Sequence, residues 1–182
     1  TDETVWYGQT FSAVPLEGPG YDDSMDIYFS GEADGEFRYI GTETEVTIPH
    51  IIKGVPVTNY TYMFFQTGVT KVNSDNPNVT DMSWMFTNSS ATSLDLSGLD
   101  TTNVTTMRGM FAGSAATSID LSGWNTSNVT DMGAMFHTSS VSTLDLRALD
   151  TSNVLDMQSM FYQSNATTIN VSGWDTSKVT DA

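Results

Sequence analysis

The chain has 182 residues, 38% of them apolar and 15% charged, which is enough for one domain with a real core and short for two. Twenty-two acids against six bases give a formal net charge of −16. That charge argues against nucleic acid and against an anionic membrane surface, because both need clustered Lys and Arg. The chain has no cysteine, hence no disulfide and no thiolate site. No apolar run approaches the roughly 18 residues of a membrane helix, so no membrane insertion is expected. Thr1 is not a natural start, and a mature or excised piece of a longer protein is expected.

The acids divide by type along the chain. Residues 1–55 carry eleven acids, including all six Glu, and two bases; residues 56–182 carry eleven acids, every one Asp, and four bases. A short Asp side chain reaches its own backbone, so an Asp-only segment predicts turns and caps. The first part is rich in aromatics (Trp6, Tyr7, Phe11, Tyr21, Tyr28, Phe29, Phe37, Tyr39), and Met25-Asp26-Ile27-Tyr28-Phe29 alternates as a short strand does. Gly18-Pro19-Gly20 and the stretch from Gly31 to Gly35 are expected turns. Residues 1–54 are expected to be a strand-rich N-terminal capping region.

From 55 to 182 the chain repeats itself. Met-Phe recurs at 85–86, 110–111, 135–136 and 160–161, and Asn-Val or Lys-Val at 78–79, 103–104, 128–129, 153–154 and 178–179, always 25 residues apart. Leu94-Asp95-Leu96 returns as Ile119-Asp120-Leu121, Leu144-Asp145-Leu146 and Ile169-Asn170-Val171. Four complete units run 78–102, 103–127, 128–152 and 153–177. A degenerate unit precedes them, with Tyr60, Met63, Phe64 and Val72 matching Met82, Met85, Phe86 and Leu94 at an offset of 22. The chain stops partway into another unit, and more repeats are expected in the native protein.

Within one unit Val79, Met82, Met85 and Phe86 have the spacing of one face of a short helix, which Thr80 would cap and Asp81 would favour at its N-terminus. Leu94-x-Leu96 alternates as a strand with both leucines inward and Asp95 outward. Asp100-Thr101-Thr102-Asn103 has the residue types of an Asx turn. No unit can bury both its Met-Phe face and its Leu face alone, so stacking is required, with Met85, Met110, Met135 and Met160 in one column. The expected fold is a leucine-rich-repeat right-handed solenoid, horseshoe-like and α/β. Its parallel sheet lies on one face, short helical turns on the other, and a strand-rich cap at the N-terminus.

The unit NVTDMSWMFTNSSATSLDLSGLDTT resembles the BspA-like leucine-rich repeats of bacterial surface proteins. More closely, it resembles the lactobacillal and mycoplasmal surface-protein repeat with its NTSNVTDMxxMF and LDLSGW segments. Residues 41–58 also look like the lead-in of such repeats, so the resemblance covers about 41–182. One departure is Ser at 89, 114, 139 and 164, where the family often has Cys. The resemblance implies the right-handed solenoid, an extracellular place on the bacterial cell surface or wall, and adhesion to a host glycoprotein, polysaccharide or matrix protein. It implies no catalytic site.

Candidate binding residues come from the columns of the repeat. Asp95, Asp120 and Asp145 should form an outward row ended by Asn170, flanked by Ser93, Ser118, Thr143 and Thr168 on one side. Ser97, Ser122, Arg147 and Ser172 flank it on the other. Such a face either binds a cation, a glycan or a basic ligand, or is a solvated face that discourages aggregation. Arg147, alone in its column, can neutralise Asp120 or Asp145. Carboxylates stacked at about 4.8 Å repel by roughly 3–4 kcal/mol at an effective dielectric of ~20. Their pKa values are therefore expected to be raised, making the face more adhesive in acid. Trp84 heads the tolerant column Trp84, Gly109, Ala134, Ser159 and either stacks on a sugar or covers the junction with the first region. His137 and Tyr162, in the variable column with Thr87 and Ala112, are either ligand contacts or plain surface. Trp124 and Trp174 alternate with Leu99 and Leu149, which predicts packing.

Catalysis finds no support: His50 and His137 lie apart, and no phosphate loop, HExxH or GxSxG occurs. No enzyme, no cofactor and no metal site is expected. Calcium is the one ion that Asp-rich repeats invite, but the glycine-Asp nonapeptide and EF-hand spacings are missing. The Asn-x-Ser/Thr triplets, from Asn59 to Asn170, fall at turn positions and read as turn chemistry. The expected whole is a monomeric adhesin module; the alternative is a stalk or self-associating spacer that presents another domain.

Overall fold

The computed structural model describes residues 3–6, 9–12, 29–31 and 36–182. The turn expected at Gly18-Pro19-Gly20, most of the one from Gly31 to Gly35 and the strand pattern over 25–28 lie outside the described residues. Among the described residues there are eleven short strands: β1 Glu3–Trp6, β2 Gln9–Ser12, β3 Phe29–Gly31, β4 Phe37–Tyr39, β5 Glu45–Thr47, β6 Ile51–Ile52, β7 Val55–Pro56, β8 Lys71–Ser74, β9 Asp95–Leu99, β10 Thr143–Asp145 and β11 Thr168–Asn170. They form five separate sheets. β1-β2, β3-β4 and β6-β7 are antiparallel pairs, β5-β8-β9 is a parallel three-stranded sheet, and β10-β11 is a parallel pair.

The leucine-rich-repeat solenoid with helical turns is not what forms. The described residues contain no helix, and the strands make several short sheets rather than one continuous parallel sheet. Between β9 and β10 the coil at Ile119 is joined to the preceding coil by a single bridge, from Leu94, just before β9, to Ile119. Successive repeats do lie against one another in parallel, but the contact that runs throughout is on the other side of each coil. Single bridges link Glu36, Asn59, Asp81, Thr106, Asp131, Asp156 and Asp181 in turn.

The Met-Phe segments show why the helix fails. In the unit from Asn78, the amides of Met85, Thr87 and Ser89 donate to carbonyls three residues back, at Met82, Trp84 and Phe86. The amides between them point out of the coil: Met82, Trp84, Phe86 and Asn88 donate to Thr106, Arg108, Met110 and Ala112 of the next repeat. The pattern recurs from Met107 and from Met132, and from Tyr60 toward Asp81, Ser83, Met85 and Thr87. A helix turns every interior amide onto its own segment, which would leave the next coil unpaired. A run of tight turns satisfies both directions instead. The first and last of these turns carry a left-handed residue at their third position, as type II turns do, so each coil has two, four residues apart: Trp84 and Asn88, Gly109 and Gly113, Ala134 and Thr138, Ser159 and Gln163. The apolar spacing that imitates a helix face is this turn run viewed in sequence. Thr80 and Asp81 therefore cap no helix.

The core is built from the columns. Phe64, Phe86, Phe111, Phe136 and Phe161 stack in order at 5.4, 5.9, 5.6 and 5.9 Å between ring centroids. Tyr39 and Phe29 extend the row edge-on at its N-terminal end. Met85, Met110, Met135 and Met160 are buried, as are Val79, Val104, Val129 and Val154. Leu94 and Leu96 are both buried with Asp95 exposed between them. The hydroxyl and amide side chains are staples between coils: Thr105 and Thr130 donate to the carbonyls of Thr80 and Thr105, and Asn103, Asn128 and Asn153 donate to those of Pro77, Thr102 and Ser127. Of the Asn-x-Ser/Thr triplets, Asn59, Asn125 and Asn170 close the expected turns by accepting from the amides of Thr61, Ser127 and Ser172, whereas Asn103 and Asn128 staple coils instead. A buried polar cluster closes the degenerate unit, where Asn76 donates to the Val57 carbonyl at 2.7 Å and Tyr60 contacts Ser74. Burial pushes the Tyr60 phenol up to about 12.

Candidate functional site

Short polar side chains, most often Asp, corner each coil. In the unit from Asn78, Asp81 accepts from the Ser83 amide at 2.7 Å, Asp95 from the Ser97 amide at 3.2 Å and Asp100 from the Thr102 amide at 2.9 Å. Each is an Asx turn closed onto the residue two ahead. This explains why the repeats use Asp and never Glu: one more methylene would overreach the loop.

The middle corner carries the expected acidic row. Asp95 Oδ1 also accepts from the Ser97 hydroxyl at 2.6 Å; Asp120 Oδ1 accepts from the Ser122 amide at 2.9 Å; Asn170 continues the pattern onto the Ser172 amide at 3.1 Å. Arg147 grips Asp145 of its own segment, Nε to Oδ1 at 2.8 Å and Nη2 to Oδ2 at 2.6 Å, and does not bridge to Asp120. Lys71 Nζ stands 4.0 Å from Asp95 Oδ2. A base thus flanks each end of the row, and Asp120 sits between.

The expectation that mutual repulsion raises these pKa values is overturned. All three carboxyls are held below the ordinary Asp range: Asp95 chiefly by the Ser97 hydroxyl, Asp120 by the Ser122 amide, and Asp145 by the Arg147 guanidinium. Hydrogen bonds made directly to the charged form outweigh repulsion across solvent-exposed space. The face stays anionic further into acid, not less far.

The aromatic candidates lie elsewhere, on the Met-Phe turns. Trp84 is half-buried, not an exposed ring: one neighbour is Tyr62, stacked at 6.1 Å and 9°. In the following coil, Gly109 lies so close that a Cβ there would meet the indole at 2.1 Å. Arg38 lies over Tyr62 at 5.2 Å, so the Trp84 stack reaches back to β4. The indole is filled on the coil-to-coil axis, as the junction alternative foresaw. His137 and Tyr162 stack on each other at 5.2 Å, and Tyr162 is 56% exposed. The candidates therefore fall into three groups: the acidic row with Arg147, the Trp84–Tyr62 stack and the His137–Tyr162 pair.

Arg108 is the functional-looking residue that the sequence reading passed over. Its Nη1 lies 2.8 Å from Asp156 and 3.3 Å from Asp131, acids of the two following coils. It reaches Asp156 across Gly133, where a Cβ would stand 2.5 Å from the same nitrogen. The signal was available: its column reads Ser83, Arg108, Gly133, Gln158, with one base and a glycine directly after it. Elsewhere His50 Nε2 pairs with Asp75 at 2.8 Å, tying the lead-in to the degenerate unit. Among the described residues no group of three acids or histidines is placed to hold a metal ion, and no helix is long and apolar enough to cross a membrane.

No curated protein and no solved structure matches the chain. Residues 80–182, more than half of the sequence and all of its regular coils beyond the first two residues of the first unit, match the family described as "Mycoplasma protein of unknown function, DUF285". The chain belongs to that family.

Proposed function

We propose that the repeats are a non-catalytic binding module of a bacterial cell surface, attaching as a monomer to a host glycoprotein, polysaccharide or matrix protein. The observation that carries this reading is the row Asp95, Asp120, Asp145. These are exposed carboxylates, each pinned by the residue two ahead and repeated at a fixed interval. A face already ordered before binding gives up little side-chain freedom on contact. The resemblance of the units to BspA-like and lactobacillal surface repeats supports display outside the cell, and the mycoplasmal family description agrees with a bacterial setting. Because the carboxylates are held low, this reading no longer includes a gain of adhesion in mild acid.

The test is binding of the purified chain to immobilised mucin, a glycan panel and matrix proteins at about pH 7 and about pH 4.5, with and without calcium. Binding to at least one surface, similar at both pH values and weaker for Asp120→Asn, is expected. Absence of binding to all of them overturns the reading. The alternative that the repeat pattern leaves open is a self-associating spacer. Concentration-dependent oligomers in sedimentation would favour it.

A further inference from the structure

Trp124 and Trp174 occupy the same repeat position but are not equivalent. The Trp174 indole N–H donates to the Leu146 carbonyl at 2.8 Å. Trp124 is 7% exposed, and its indole N–H is buried with no hydrogen-bond partner. An orphaned buried donor is costly, and native proteins rarely leave one without a reason. The carbonyl that corresponds to Leu146 is that of Leu96. Leu96 and Trp124 line one cavity of about 210 Å³ with Asp95, Ser97, Asp120 and Ser122. This cavity lies at the break in the strand ladder, where the coil of β9 meets the next coil through the single Leu94–Ile119 bridge. β10 and β11, by contrast, are joined over three residues.

We propose that this cavity is a subsite for one sugar residue of a glycan; the proposal rests on the adhesion reading and names its ligand class. The donor and acceptor inventory selects the ligand. Asp95 and Asp120 offer carboxylate oxygens and want donors, whereas the Trp124 N–H wants an acceptor. An ammonium, a guanidinium or a metal ion supplies no acceptor. A hydroxyl is both donor and acceptor, and a pyranose presents several around an apolar ring face that suits an indole. The volume is below the roughly 300 Å³ of a drug-sized pocket, which limits it to one ring. The N–H is closed off from solvent, so a hydroxyl reaches it by parting the two coils, whose strand segments are joined here by the single Leu94–Ile119 bridge.

The test is an NMR titration of the tryptophan indole N–H signals with N-acetylglucosamine, methyl β-galactoside and methyl α-mannoside, beside binding to immobilised mucin. The proposal expects the Trp124 signal, and not that of Trp174, to shift with at least one sugar. Trp124→Phe, which keeps the ring packing, and Asp120→Asn, on the exposed face, should each weaken that sugar roughly fivefold to tenfold, with Trp174→Phe unchanged. Mucin binding with no response at Trp124 to any sugar overturns the subsite and leaves adhesion standing. Loss of both overturns the two together. An equal shift with free lysine in place of sugar overturns the choice of ligand.

Discussion

The two sides of each coil solve the same stacking problem differently. The Met-Phe side looks irregular within a repeat, yet it is bonded to its neighbour at alternate residues, and its bridges run from Glu36 to Asp181. The Leu-Asp-Leu side looks like the regular one in sequence, yet its ladder is confined to β5-β8-β9, where the register shifts between Lys71 and Asn73, and to β10-β11. Regularity in a stacked protein belongs to the spacing between coils. A segment that spends half its amides on the next coil cannot spend them on a helix. The side with fewer bonds between coils is where the cavity and the exposed acids lie.

The largest test of this contrast removes a ring from the continuous column. Phe111 packs between Phe86 and Phe136 and also against Trp124. Phe111→Ala should cost about 3–5 kcal/mol in urea unfolding. Leu121→Ala, on the interrupted side of the same coil, should cost less. Equal losses would mean that the two sides hold the stack equally. Gly109→Ala comes next. Ala134 holds the equivalent left-handed position at φ 55°, so an alanine backbone is tolerated there. The Cβ would still meet the Trp84 ring at 2.1 Å. Overpacking of that kind costs roughly 1–3 kcal/mol. The loss should shrink in a Trp84→Ser background, and a double-mutant cycle reads the coupling. Additive losses would show that the backbone, not the indole, is what Gly109 serves.

Much of this contrast was readable in the residues, and the rest was hidden for identifiable reasons. The 25-residue period put Met85, Met110, Met135 and Met160 in one buried column and placed Asp95 outward between two buried leucines. It also led to the Asx turn at Asp100. The helix was misread because i, i+3, i+7 spacing is shared by a helix face and by a run of turns, and the discriminating information is hydrogen bonding to another repeat. Ten left-handed positions from Tyr62 to Gln163 mark that run, and only two of them are glycine, so the usual signature was masked. Repulsion in the Asp row was overestimated because spacing alone does not reveal that each carboxylate already has donors two residues ahead. The orphaned Trp124 N–H was likewise invisible, since Trp124 and Trp174 both follow Ser-Gly and both face a leucine carbonyl position in the preceding coil, and only the fold shows which of them reaches it.

A smaller test falls on the Met-Phe side. Arg108 ties three coils through Asp131 and Asp156, at side-chain exposures of 29–32% for the three residues. Such pairs contribute about 1 kcal/mol or less. Arg108→Met should therefore lower stability by that order at low salt, with the gap to the wild type narrowing as salt is added. A gap that ignores salt would assign Arg108 to packing over Gly133 rather than to charge.

The smallest effect is expected on the Leu-Asp-Leu side, in acid. Asp120 has its folded pKa depressed, first by the Ser122 amide. Above the ordinary Asp value both folded and unfolded chains are ionised there, and the full contribution is present. As pH falls through that value toward the folded one, the unfolded chain takes up its proton first, and the contribution fades. Asp95, Asp145, Asp150 and Asp175 are depressed in the same direction, so stability should decline together in that window. Asp120→Asn isolates one member. Asn170 already makes the same turn onto Ser172, so the variant keeps the corner and loses only the titrating charge. Its urea midpoint should fall slightly less than the wild type's across the window. A variant that loses as much as the wild type would mean that the turn, and not the charge on the carboxylate, is what the Ser122 amide stabilises.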